Sequence, residues 1–208
     1  MFTSELDYLG QGIQAPQHPF VAILGGAKIS GKIDVIQNLL SKVDRLIIGG
    51  GMVFTFLRAK GLEVGRSLVE EDRITMAKEL LVAAGNKMLL PVDCQISSDF
   101  DIAAGRAAQL RTVRVEEIPA DAAGLDIGPA SLENFRGALT GARTIVWNGP
   151  MGVFEIQETA QGTFQMAQIL AQLTAQGAVT VIGGGDSAAA TEKAGVADRI
   201  SHISTGGG

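Results

Sequence analysis

The sequence predicts an α/β fold: a three-layer, Rossmann-like parallel sheet with helices on both faces. Three observations carry this expectation. Short apolar runs alternate with longer segments of helical periodicity, the pattern of βαβ units. The runs are apolar at consecutive rather than alternate positions, as in strands covered on both faces. Glycine is in excess, with 27 among 208 residues, or about 13% against a usual ~7%, and it clusters directly after the apolar runs.

Taken in order, strands are expected over 20–24, 45–48, 87–91, 144–147, 179–182 and 200–204. Helices are expected over 32–43, 53–60, 71–84, 131–138, 158–175 and 187–193. Residues 1–19 stand apart as an interdomain helix and linker. Leu6, Leu9 and Ile13 recur at helical spacing, and Pro16 and Pro19 stop a helix before the first strand. Residues 20–208 form the expected ligand-binding domain, since open α/β sheets bind ligands beyond the carboxyl ends of their strands.

Composition narrows the class of function. At 21.6 kDa the chain is long enough for one substantial core. A net charge of −5 argues against a nucleic-acid partner, because phosphate backbones are bound through basic patches. No apolar run approaches the ~20 residues of a membrane span, so no membrane association is expected. The single cysteine, Cys94, forms no internal disulfide and points to a reducing compartment. The acidic start "MFTSELDYLGQG" lacks a secretory pattern, so a cytoplasmic location is expected, with an organelle after transit-peptide removal left open.

Five glycine turns need a cause: "LGGAK" at 24–28, "IGGGM" at 48–52, "NGPMG" at 148–152, "IGGGD" at 182–186 and "TGGG" at 205–208. Glycine lets a ligand approach the backbone, and a turn that opens a helix presents amide N–H groups and a positive dipole end to phosphate. Tight packing of helix on strand explains any one turn equally well; five strand ends in one chain favour a phosphate ligand. "GAKISGKI" at 26–33 fits G-x-x-x-x-G-K but carries Ile33 where a P-loop needs Ser or Thr, and no G-x-G-x-x-G opens a helix. Lys28 and Lys32, four residues apart, share a helical face near the first turn and suit phosphate oxygens, although solvated lysines are the commoner case. Asp186 reads either as a helix N-cap or as a carboxylate that holds Mg²⁺ beside nucleotide phosphates, with Ser187 free to take the cap. Glu155 accepts from ribose hydroxyls or is a solvated first-turn acid. His18 and His202 are too few and too far apart for a metal pair. Cys94 reads as a small buried hydrophobe and Trp147 as a core anchor beside its turn. Asp93, Asp99 and Asp101 lack the spacing of a calcium loop.

Together, "FVAILGGAKISGKI", "LIIGGGMVFTFL", "IVWNGPMGVFE", "VTVIGGGDSAAA" and "SHISTGGG" resemble the C-terminal, nucleotide-binding half of phosphoglycerate kinase, in order from about Phe20 to Gly208, and 1–19 resembles the helix joining that family's two halves. The resemblance implies phosphoryl transfer between 1,3-bisphosphoglycerate and ADP, with Mg²⁺ accompanying ATP/ADP. It gives Lys28 the transferring phosphoryl group, with Gly25 and Ala27 beside it, and Lys32 the nucleotide phosphates. Gly49, Gly50, Gly51, Gly124, Leu125 and Val153 would line the adenine slot. Asn148 and Pro150 would lie along the triphosphate, and Glu155 would meet the ribose. Gly184, Gly185 and Ser187 would face the phosphates, Asp186 would hold the metal, and Gly206, Gly207 and Gly208 would open a helix facing the transferred group. Ser187 stands where the family usually has Thr, which keeps the hydroxyl. The half that binds 3-phosphoglycerate is missing before Met1, and the helix after Gly208 is missing too. A fragment of a full-length monomeric enzyme is therefore expected, inactive alone; the rival reading is a nucleotide-binding module without catalysis.

Overall fold

The computed structural model describes residues 15–205; the Leu6, Leu9 and Ile13 stripe and Gly206 to Gly208 lie outside the described residues. Along the chain, β1 (Phe20–Leu24) leads through α1 (Ile33–Leu40) to β2 (Arg45–Ile48), then α2 (Val53–Ala59), α3 (Ile74–Ala84) and β3 (Met88–Leu89). Five short strands follow: β4 (Asp93–Ser97), β5 (Asp99–Asp101), β6 (Arg106–Ala108), β7 (Arg111–Arg114) and β8 (Ala123–Ile127). The chain then runs through α4 (Pro129–Leu139), β9 (Thr144–Asn148), α5 (Gln161–Ala175), β10 (Val179–Gly183), α6 (Gly185–Lys193) and β11 (His202–Ser204).

Six strands form the expected parallel sheet, in the order β11-β10-β9-β1-β2-β3. Both faces of the central strand are buried. Phe20, Ala22 and Leu24 pack toward α1, α2 and α3, while Val21 and Ile23 pack toward α4 and α5. Trp147, Phe135 and Phe56 are among the largest fully buried side chains, and they sit on both sides of the sheet. Burial on both faces is why the strands read as continuous apolar runs.

Register places the site. Leu24 pairs with Ile48 on one side and Asn148 on the other, and Asn148 pairs with Gly183. Four strand ends therefore stop at one level, and their glycine turns stand side by side along the carboxyl edge.

Several boundaries differ from expectation for local reasons. The strand expected over 87–91 shortens to Met88–Leu89, because Pro91 has no N–H to give a ladder. The helices expected from 71 and 158 each begin with a separate 3-10 turn, Glu71–Arg73 and Gln157–Thr159. Helix α4 starts at Pro129, before the expected 131. Its N-terminal amides are capped from another strand: the Asp93 carboxylate accepts the N–H groups of Ala130 (3.0 Å) and Ser131 (2.9 Å).

The region 93–127 is the main addition. It holds an antiparallel sheet in the order β7-β4-β8 and a separate β5-β6 hairpin, neither expected from the sequence. These strands are short and carry polar residues even at buried positions, such as Asp93 and Ser97, so the apolar-run signal that marks the main sheet is absent.

The turns leave no room for side chains at Gly25. A β-carbon there would lie 2.1 Å from the Pro150 carbonyl oxygen and 2.4 Å from that of Gly149. Gly25→Ala is therefore expected to cost roughly 2–3 kcal/mol, a fall in Tm of several degrees in thermal unfolding. An unchanged Tm would show that these backbones separate freely.

Candidate functional site

The carboxyl edge is built from backbone. The Gly25 N–H donates to the Asn148 carbonyl (2.8 Å), Gly26 to Pro150 (3.0 Å), Gly50 to Met151 (3.1 Å) and Met52 to Gly26 (3.2 Å). Gly50 sits at φ +75°, and a β-carbon on it would lie 2.4 Å from the Gly26 carbonyl oxygen, so only glycine fits. The β9 turn is braced from three sides. The Trp147 indole N–H donates to the Gly149 carbonyl (2.7 Å), the Ser187 hydroxyl accepts the Gly149 N–H (2.7 Å), and the Thr163 hydroxyl accepts the Met151 N–H (3.0 Å).

Above this edge lies a cavity of about 450 Å³. Its lining runs from the β5-β6 hairpin to the first turn of α6. Leu68, Phe100, Ile102, Leu125 and Val153 supply apolar walls; Gly26, Ala27, Gly51, Gly124 and Gly152 bring the backbone close; and Glu155 and Asp186 add exposed carboxylates.

The expected site residues divide by place. Ala27, Gly51, Gly124, Leu125, Pro150, Val153, Glu155 and Asp186 line this cavity. Gly25, Gly49 and Gly50 are buried beneath it, where packing of turn on turn accounts for their glycine identity. Gly184 is required by its φ of +95°, whereas a β-carbon on Gly185 would, among the described residues, meet nothing nearer than the Thr205 carbonyl oxygen at 3.9 Å. Lys32 reaches across to Asn148, its ammonium donating to Oδ1 at 2.5 Å. Lys28 is exposed, and among the described residues its ammonium has no hydrogen-bond or ion-pair partner. The turn just after it is held by Glu70, whose carboxylate accepts the N–H groups of Ile29 (2.6 Å) and Ser30 (3.2 Å).

The capping expectation needs correction. Helix α6 begins at Gly185 with Gly184 as its N-cap, a residue with no side chain to cap it. Ser187 lies inside the helix, fully buried, with its hydroxyl committed to the β9 turn. Asp186 is left exposed in the first turn, free of a capping duty. Among the described residues no cluster of three or more carboxylate, histidine or cysteine groups could hold a metal unaided. One exposed carboxylate such as Asp186 fits Mg²⁺, which takes one or two carboxylates and draws its other ligands from phosphate and water.

Comparison with known proteins bears on this geometry. The family model for phosphoglycerate kinase matches residues 1–208. The chain belongs to the phosphoglycerate kinase family. It is 54% identical over 211 residues to the phosphoglycerate kinase of Thermosynechococcus vestitus, covering 100% of this chain and 52% of that protein. It is also 54% identical to a chloroplastic phosphoglycerate kinase from Volvox carteri, of which it covers 45%. The solved phosphoglycerate kinase of Coxiella burnetii superposes with a TM-score of 0.88 at 38% identity, over 99% of this chain and 53% of that one. The chain spans about half the length of the curated relatives it matches.

Within this phosphoglycerate kinase fold, the sequence reading missed the far wall of the cavity. Arg66, Leu68, Phe100 and Ile102 come from the loop after α2 and from the hairpin, segments with no glycine motif. The alternation of Phe100 and Ile102 with aspartates was the available signal. Cys94 is buried and its thiol is pushed up to about 12 by desolvation, then by Asp93, which agrees with a packing role. His18 is more engaged than expected: its ring lies 2.6 Å from the Asp44 carboxylate, on the surface at the opposite, amino end of β1. Among the described residues no helix is long and apolar enough to cross a membrane.

A second buried carboxylate, on β8 next to Leu125, is Asp126. Asp126 accepts the N–H groups of Ile127 (2.8 Å) and Gly162 (2.9 Å), joining β8 to the start of α5. Burial pushes its carboxyl up from 3.8 to about 7, against those two donors, which favour the ionised form. Between about pH 4 and pH 7 the unfolded chain has released this proton and the folded chain keeps it, so stability falls as pH rises through that window, by at most about 1.4 kcal/mol per pH unit. Asp126→Asn removes the titration. The slope of Tm against pH from about 5 to 7 should flatten in that variant, even though its amide NH₂ faces a backbone N–H and lowers Tm overall. An unchanged slope would place the titration elsewhere.

Proposed function

We propose that this chain is the ATP/ADP-binding half of a phosphoglycerate kinase, acting in reversible phosphoryl transfer between 1,3-bisphosphoglycerate and ADP. The observation that carries the reading is one cavity joining an apolar slot to glycine turns and the start of α6, with two exposed carboxylates, Glu155 and Asp186, in its lining. The slot suits a purine base and the turns suit its phosphates. Residues 20–208 form the nucleotide domain in this reading, and 1–19 the joining helix. The 3-phosphoglycerate site belongs to the half of the relatives that this chain does not match. The full-length protein is read as a monomer located in the cytoplasm.

Such transfer needs positioning and charge neutralisation more than covalent chemistry. The first turn of α6 opens on Gly184, which has no capping side chain, and in this reading its amides serve phosphate oxygens. Lys32, held by Asn148, places a fixed positive charge over the β1 and β9 turns. Lys28, exposed on a turn pinned by Glu70, is the mobile charge that follows the transferring group. Mg²⁺ bound with the nucleotide would neutralise phosphate charge, with Asp186 as its protein ligand. A nucleotide-binding module without turnover is the second reading; the cavity and its glycine turns serve binding alone equally well.

Calorimetry on the chain tests the site. Asp186→Asn should weaken MgADP binding and spare ADP in EDTA; equal losses in both conditions would remove the metal role. Gly185→Ala should keep the free energy of unfolding within about 0.5 kcal/mol of the unmodified chain yet weaken MgADP, because among the described residues its β-carbon meets no packed backbone.

Lys28 is tested in a full-length enzyme, made by joining the chain to the N-terminal half of the T. vestitus relative. Lys28→Ala should lower kcat by about 10²-fold or more and change the nucleotide KM much less. A change confined to KM would make Lys28 a ground-state phosphate ligand.

A further inference from the structure

The β5-β6 hairpin forms one wall of the cavity but joins neither larger sheet. Its strands are three residues each, tied internally by the Arg106 to Asp99 ion pair (2.8 Å) and at the root by the Ser97 hydroxyl, which accepts the Asp99 N–H and donates to the Ala108 carbonyl. A two-stranded ribbon of this size does not hold its own position in water. Something outside it must set how far Phe100 stands from Leu125 and Val153 across the slot.

Arg66 meets that need. Its guanidinium lies over the Phe100 ring, 4.7 Å from the centroid, and its Nη1 donates to the carbonyls of Ser98 (3.2 Å) and Asp121 (3.3 Å). Those carbonyls lie just before the hairpin and at the far end of the excursion that contains it. The Arg66 backbone is itself held: its N–H donates to the Ala122 carbonyl (2.8 Å), and the next residue, Ser67, accepts the Gly124 N–H (2.9 Å). A planar guanidinium serves a ring face and two acceptors at once; a lysine ammonium has no such fork.

We propose that Arg66 is a positioning residue for the base end of the nucleotide site: by clamping Phe100 and the carbonyls of Ser98 and Asp121, it holds the hairpin as the slot's outer wall. This rests on the nucleotide reading above. The clamp acts on the base and not on the phosphates, so its loss separates ligands that have a base from those that do not.

The test is calorimetry of the whole chain and its Arg66→Ala and Arg66→Lys variants with MgADP and with magnesium tripolyphosphate. Arg66→Ala should weaken MgADP about tenfold and leave tripolyphosphate unchanged, with Arg66→Lys in between. Amide exchange over residues 99–108 should quicken in Arg66→Ala without ligand, while β1 and β9 keep their protection. Equal weakening of both ligands would make Arg66 a general attractor of anions, and an unchanged MgADP affinity or unchanged hairpin exchange would show that the wall stands without it; each overturns the proposal. If the unmodified chain binds tripolyphosphate but not MgADP, or binds neither, the nucleotide reading itself fails and the role falls with it.

Discussion

At the carboxyl edge of the main sheet, the β1, β2 and β9 turns meet backbone to backbone at Gly25 and Gly50. The Pro150 carbonyl accepts from Gly26, the Gly26 carbonyl accepts from Met52, and the β-carbon positions of Gly25 and Gly50 are filled by neighbouring carbonyl oxygens. This mutual contact sets the height at which each strand releases its chain. Lys28 follows one turn, Gly51 and α2 follow the second, and Pro150 to Glu155 follow the third, so the relative placement of these cavity-side groups rests on glycine at a few points. The equal register of Leu24, Ile48, Asn148 and Gly183 brings the turns to one level, and the carbonyl contacts lock them there.

Four carboxylates near the site take opposite roles by burial alone. Asp93 and Asp126 are each about 5% exposed, and each accepts two backbone N–H groups; one caps α4 and the other ties β8 to α5. These are structural joints between the parallel sheet's helices and the antiparallel sheet. Asp186 and Glu155 are exposed on the cavity and carry no such bonds among the described residues. A charged group in water keeps its affinity for a cation or a hydroxyl donor, while a buried one is consumed by the amides that make its burial tolerable.

The cavity walls differ in rigidity for the same kind of reason. The glycine wall is part of a sheet buried on both faces. The opposite wall hangs from Leu68 and the small hairpin, with half-exposed Leu68 and Ile102 among its apolar groups. The cavity thus pairs a wall built into the main sheet with a lighter one.

The sequence by itself determined the parallel α/β class, the strand positions of the main sheet to within a residue or two, and the glycine turns at its carboxyl edge, because these follow from local pattern: continuous apolarity, helical spacing and residues that lack a side chain. Family resemblance carried that reading to Ala27, Gly51, Leu125, Val153 and Asp186, and all of them line one cavity. Only the tertiary structure decided which glycines face the cavity and which are spent on packing, since Gly25 and Gly185 differ solely in what lies beyond their hydrogens. It also decided that Ser187 braces a distant turn instead of capping its own helix, that Asp93 caps a helix 37 residues away, and that Arg66 meets Phe100. Those are contacts between segments far apart in the chain, formed by how short polar strands pair and which side chains they aim inward, and local periodicity holds no record of a neighbour that arrives only when the chain has folded.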